Sequence, residues 1–281
     1  MQWRALMATR SPELKEFSTE MERRSLRPGT IGKRMSVLVR CEIALDHPLI
    51  EATTIELRDW LDGHKLQAKT RYSYISHLSA FWTWALLDER ATKNPTLRLT
   101  RPKLRPGLPR PVSTDDLATL IIQAPNAELR AMVVLAGHVG MRCMEIAGLL
   151  APDVLEYLHL SVLVVAHGKG DKPRVVPISE STVAALCAHG VPPHGPVFVD
   201  PEGTALTPWK VSHMLREHMH KCGVNASAHQ LRHAFGTEVY RRSGDLRMTQ
   251  ELMGHASPTT TAGYTAWAQD RAASVVATLF T

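Results

Sequence analysis

The chain has 281 residues, 44% hydrophobic and 21% charged, the balance of a globular protein with one large or two smaller domains. No apolar run approaches the ~18 residues of a membrane span, the first residues lack the apolar core of a secretory signal, and Cys41, Cys143, Cys187 and Cys222 form no paired motif, so the expectation is a cytoplasmic protein without a disulfide framework. The net charge of +6 is uneven: residues 1–110 carry 20 Lys and Arg against 12 Asp and Glu, and residues 111–281 carry 13 against 15, which assigns a polyanion partner to the first part and a different task to the second.

The first part reads as four helices. Ser11 is an expected N-cap with Pro12 at the first helical position, and Leu14, Phe17 and Met21 share a face. Thr30 is the expected cap of a second helix with Ile31, Met35 and Leu38 inward. Thr54 is that of a third with Leu57, Trp60 and Leu61, and Thr70 starts a fourth with Tyr74, Ile75, Leu78, Phe81 and Trp82. Together they predict a small helical bundle over 1–95. From Ala91 to Val112 five prolines and six basic residues break the pattern. A linker over 96–111 is expected, either a solvated tether or a strap along something anionic. The basic residues Lys65, Lys69, Arg71, Arg101, Lys103, Arg105 and Arg110 are the candidate contacts of this part with a polyanion, which is DNA if the resemblance given below holds.

From residue 112 the chain reads as mixed. Ser113 caps a helix over about 114–123, and a second helix is expected over 127–149. Two strands follow, Leu158 to Ala166 and Arg174 to Ile178, joined by the turn Gly168-Lys169-Gly170-Asp171, and the rest reads as helical. The fold class is mainly α with a small antiparallel sheet.

Five pieces of this second part carry chemistry. Arg142 and Glu145 are three apart on a helix, either an ordinary ion pair or a carboxylate that holds a working guanidinium in place. Lys169 sits at a glycine-flanked turn, either a solvated hairpin tip or an ammonium held in a groove as a proton donor, with Lys172 and Arg174 as alternatives and as DNA contacts. His229 and Arg232 share a helix face, which suits an oxyanion as well as a surface helix with a structural histidine. His233 completes an HxxxH spacing, but Gln230 stands where a zinc protease needs its glutamate. His218, His220 and Cys222 read as a solvated helix end. Gly254 fits a C-cap that fixes His255 at a helix junction, with Ser257 as the next N-cap, and Tyr264 is either a core aromatic or a nucleophile nine residues on.

In this order, Arg142 in Gly-Met-Arg-Cys-Met-Glu, Lys169 in a strand turn, His-Gln-Leu-Arg-His, Met-Gly-His and Tyr264, the set resembles the tyrosine recombinase family, the phage integrases and Xer-type recombinases, over most of the chain. The departures are Met253 for the usual leucine, Pro173 and Pro258 at variable positions, and Thr265-Ala266 where a histidine often follows the tyrosine. The resemblance implies a core-binding domain (1–95), a linker (96–111) and a catalytic domain (112–281). It implies Tyr264 as nucleophile, with Arg142, Lys169, His229, Arg232 and His255 as the other catalytic groups and Glu145 orienting Arg142 or its neighbours.

It further implies a 3′-phosphotyrosine intermediate, no metal and no cofactor, and double-stranded DNA with specific core or attachment sites as partner. A homotetramer on two duplexes is implied, with a monomer or weak oligomer when free. A host or phage accessory factor is a further implied partner, and a membrane is not. No arm-binding domain is expected ahead of the bundle, which puts a simple phage or mobile-element integrase first and a Xer-like resolvase second. A type IB topoisomerase-like nickase and a non-catalytic DNA-binding relative are the remaining alternatives. The apolar stripe Ala272, Val276, Leu279 and Phe280 is expected to dock on a neighbouring protomer or on its own.

Overall fold

The computed structural model describes residues 10–104, 110–165 and 173–254. The chain divides into two compact units, Met1–Pro106 and Gly107–Thr281.

The first unit holds α1 (Pro12–Arg23), α2 (Pro28–Leu45), α3 (Thr54–Gly63) and α4 (Ala68–Leu87), with short 3-10 turns at Leu49–Glu51 and Pro95–Arg98. The apolar stripes read from the sequence meet in one core: Leu14, Met35, Leu38, Leu57, Ile75, Leu78 and Phe81 are fully buried. Phe81 stands edge-on to Phe17, centroids 5.5 Å apart, and to Trp82 at 5.1 Å, a geometry aromatic quadrupoles favour.

The helix starts differ from expectation in instructive ways. Ser11 precedes α1, yet its hydroxyl makes no cap. It donates to Oε2 of the buried Glu42 at 2.6 Å while its N–H donates to Oε1, and the N–H of Leu49 reaches the same carboxylate. A buried carboxylate must have such donors, and this demand takes Ser11 from the helix end. α2 starts at Pro28, before Thr30, because Pro suits the first helical position. Thr53, not Thr54, caps α3 and forms a capping box with Glu56. Thr54 instead donates to the carbonyl of Pro95 at 2.9 Å. That bond and the burial of Thr96 and Leu99 tie residues 96–99, expected in the linker, to the first unit.

The second unit opens with α5 (Thr114–Ile122), capped by Ser113 as expected: its hydroxyl accepts from the N–H of Asp116 at 3.0 Å. α6 (Ala127–Gly137) is buried from Ala131 to Gly137 and forms the centre of this unit's core. The helix expected over 127–149 does not run through. Gly140 takes φ +71°, the chain turns, and α7 (Cys143–Ala147) restarts beyond it. α8 (Ala151–Leu155) and a 3-10 turn at Leu158–Leu160 precede β1 (Val162–Val165), which pairs antiparallel with β2 (Arg174–Pro177) so that Val165 faces Arg174. The remaining elements are α9 (Glu180–His189), α10 (Pro208–Lys221), α11 (Ala228–Ser243) and α12 (Leu246–Met253). His218 on α10 is buried, not on a solvated helix end, and one of its ring nitrogens lies 2.8 Å from the carbonyl oxygen of Leu120. It ties α10 to α5 as a core polar group.

Candidate active site

The local chain geometry brings three guanidinium groups to one carboxylate. Arg142 occupies the N-cap position of α7, and Glu145 lies one turn later at 0% side-chain exposure. The N–H of Arg142 donates to Glu145 Oε2 at 2.8 Å and its Nη1 to Oε1 at 2.6 Å. Arg174, the first residue of β2, donates through Nη1 to Oε1 at 3.1 Å and through Nη2 to Oε2 at 2.9 Å. Arg232, on the second turn of α11 and 1% exposed, has Nη1 3.8 Å from Oε2. Burial opposes ionisation of Glu145. The hydrogen bonds and charge of Arg174, the N–H of Arg142 and the charge of Arg232 outweigh it and hold the pKa at about 2.

The same arginines grip the end of α12. Three successive carbonyls there accept from three different arginines: Leu252 from Arg174 Nε at 3.0 Å, Met253 from Arg232 Nη2, and Gly254 from Arg142 Nη2 at 3.2 Å. These are carbonyls a helix leaves without intrahelical partners, at the negative end of its dipole. Gly254 closes the helix in the left-handed region at φ +59°, as the sequence predicted for a C-cap, and a Cβ there would lie 3.0 Å from Arg174 Nη1. Arg232 also donates from Nη1 to the carbonyl of Gly140. Phe235 presses on that turn, for a Cβ on Gly140 would fall 2.4 Å from its ring. The glycine is thus required by its positive φ and by the packing of α11.

His229 is exposed on the first turn of α11, and its ring meets that of His233 edge-on at 4.4 Å. His233 is half-buried. Burial first, then the charges of His229 and Arg232, push its pKa down to about 4, so it is neutral at pH 7. Gln230 is occupied as part of the α11 cap: it accepts from the N–H of Ser227 at 2.9 Å and donates to the carbonyl of Arg110. Among the described residues no group of three or more His, Cys, Asp or Glu is arranged to hold a metal ion.

Of the residues singled out in the sequence, Arg142, Glu145, Arg232 and His229 lie in the second unit as just described. Lys169, Lys172, His255, Tyr264, Arg105 and the apolar stripe from Ala272 lie outside the described residues. Arg174, expected as a DNA contact, has a side chain that is 9% exposed and engaged with Glu145 and Leu252. The alternation of β2 carried the signal: Val176 and Ile178 are buried, and a period of two puts Arg174 on their side of the strand. In the first unit Lys65, Lys69 and Lys103 are exposed, Arg71 is paired with Asp62 at 2.6 Å, and Arg101 lies over the ring of Tyr72 at 5.5 Å. The side chain of Arg110 is exposed in the second unit.

Three guanidinium groups against one carboxylate leave a net positive, preorganised cluster, the electrostatic apparatus of a phosphoryl-transfer enzyme. Comparison with known proteins makes this specific. Residues 112–271 match the phage integrase family. The tyrosine recombinase XerD of Pseudomonas aeruginosa is 30% identical over 277 residues, 92% of this chain and 85% of that protein. Among solved structures, a XerA recombinase is similar at 26% identity with a TM-score of 0.52, over 90% of this chain and 92% of the other. Lambda integrase residues 75–356, solved as a dimer bound to a COC′ core site, shares the fold at 18% identity with a TM-score of 0.73, over 90% of this chain and 93% of the other. The chain belongs to the phage integrase family: it is a tyrosine recombinase, a site-specific enzyme that cuts and rejoins DNA.

Proposed function

We propose that Tyr264 attacks the scissile phosphate of a duplex DNA site, displacing the 5′-oxygen and leaving a 3′-phosphotyrosine. Arg142 and Arg232 neutralise the nonbridging oxygens, and His255 donates to one of them. His229 takes the proton from Tyr264 as base and later returns it as acid, and Lys169 protonates the departing 5′-oxygen. The 5′-hydroxyl of a partner strand then attacks the phosphotyrosine, which rejoins the DNA and frees the tyrosine. The covalent link keeps the energy of the broken bond, so the cycle is closed without metal or nucleotide. The observation that carries this reading is the arginine cluster on Glu145 and on the carbonyls of residues 252–254, immediately before His255 in the chain.

The domains in this reading are a core-binding bundle, a Pro-rich basic linker and a catalytic domain, and the working assembly is a homotetramer on two duplexes in the cytoplasm, at the nucleoid. The biological role proposed is integration by a phage or mobile element, with a host or phage factor setting direction. A Xer-like resolvase is the second reading, favoured by the 30% identity with XerD over 92% of the chain.

The test is covalent trapping. Nicked duplexes tiled from DNA flanking the gene, and from the chromosome terminus, are incubated with native protein and with Tyr264→Phe in EDTA. A protein–DNA adduct that resists SDS and is lost in Tyr264→Phe is the expected result, and the duplex that yields it separates integrase from resolvase. Adducts retained by Tyr264→Phe overturn the assignment of the nucleophile.

A further inference from the structure

We infer that Arg174 is a positioning residue for strand cleavage, a clamp that holds the Glu145 carboxylate and the last turn of α12 and through them sets Arg142. This inference rests on the proposed tyrosine cleavage and adds a residue that the proposed chemistry leaves without a role.

All three nitrogens of the Arg174 guanidinium are engaged, Nη1 and Nη2 on the two oxygens of Glu145 and Nε on the Leu252 carbonyl. Glu145 Oε1 accepts from Arg174 and Arg142 together. Without Arg174 that oxygen would be set by Arg142 alone, and α12 would lose one of three ties. The planar fork matters, because a lysine ammonium cannot span two carboxylate oxygens and a carbonyl at fixed angles. Arg174 is also the residue of β2 that pairs with Val165 of β1, so its side chain links the sheet to α7 and α12. Charged groups facing Glu145, among the described residues, are Arg142 on its own helix, Arg174 from β2 and Arg232 from α11.

A positioning role and a DNA contact predict different measurements. A phosphate contact removed makes the salt dependence of binding shallower by about one unit of slope. A clamp removed leaves binding and slope alone and slows chemistry, by ~10²-fold where a reacting group shifts by about an ångström. Native protein, Arg174→Met and Arg174→Lys are compared for DNA affinity against salt and for single-turnover cleavage of a nicked duplex at saturating protein. The expected result is cleavage slowed ~10²-fold in Arg174→Met, incomplete recovery in Arg174→Lys, an unchanged salt slope, and an acid limb of cleavage that moves upward as Glu145 loses its main partner. A shallower slope with native cleavage at saturation overturns the inference, as do variants that cleave as the native protein does. Arg174→Lys carries the comparison if Arg174→Met does not fold.

Should the native protein form no adduct, the tyrosine reading fails by itself and acid unfolding still tests the clamp. Glu145 ionises lower folded than unfolded, so its contribution is present above the ordinary carboxylate range and lost as pH falls toward about 2. The drop in melting temperature between roughly pH 5 and pH 3 is then smaller in Arg174→Lys than in the native protein, and an equal drop overturns the clamp.

Discussion

Glu145 pays for burial with partners, and its energetics depend on all of them. Replacing it with glutamine leaves three guanidinium groups facing an amide that can accept through one oxygen only. Removing one member of a buried charge cluster costs about 3 kcal/mol, so Glu145→Gln should lower urea stability by about that amount, against less than about 1 kcal/mol for the exposed Glu251→Gln. Equal losses would show that the cluster contributes no more than a surface pair. His233 provides a second test at this scale. Its pKa lies below the ordinary histidine value when folded, so the unfolded chain binds more protons between about pH 4 and 6.5, and stability gained from this group rises across that window and is complete above it. An NMR titration of the His233 ring should show a midpoint near 4, and a midpoint near 6.5 would mean the ring is solvated. The residue identities of the cluster were largely legible from spacing: Arg142, Glu145 and Arg232 could be named from the chain alone. Arg174 could not, because a basic residue beside a glycine-rich turn looks the same whether it faces DNA or a buried carboxylate. The alternation of β2 puts Arg174 on the buried side with Val176 and Ile178, but that the partner there is Glu145 depends on the depth of Glu145, which spacing does not report.

The elements were read well where an apolar stripe ran through them and poorly where polar side chains competed for a helix end. Helix existence in the first unit followed from periodicity, while Ser11, Thr30 and Thr54 failed as caps because Glu42, Pro28 and Thr53 respectively set those starts. The break between α6 and α7 was missed for another reason. Apolar residues recur on both sides of Gly140 within residues 127–149, and the close approach of Phe235 and the bond from Arg232 to its carbonyl show why Gly140 must leave the helix. Gly140→Ala therefore meets two costs, left-handed strain of about 1–2 kcal/mol and displacement of the Phe235 ring, which belongs to the helix that carries Arg232. The expected outcome is a loss of more than about 2 kcal/mol in urea unfolding, together with slower single-turnover cleavage. A loss confined to about 1 kcal/mol with native cleavage would mean that the turn relaxes without moving Arg232.

At the scale of the whole molecule the charge asymmetry and the division into two units coincide. The excess of basic over acidic residues lies in 1–110, and the second part is slightly acidic overall although it contains the arginine cluster. Within that cluster Glu145 and the α12 carbonyls engage the guanidinium groups, whereas Lys65 and Lys69, at and just before the start of α4, are exposed. Sequence-independent affinity for DNA should accordingly come mainly from the first unit and catalytic geometry from the second. Each neutralised phosphate adds about 0.9 to the slope of log affinity against log salt. If Lys65 and Lys69 each meet one phosphate, the double variant Lys65→Ala/Lys69→Ala flattens that slope by roughly 2 and weakens binding alike on specific and random duplexes. Its single-turnover cleavage at saturating protein stays native, because Glu145 and its arginines are held together entirely by groups of the second unit. Fluorescence anisotropy on a short duplex between about 50 and 300 mM salt reads the slope. A slope equal to that of the native protein would show that neither lysine neutralises a phosphate.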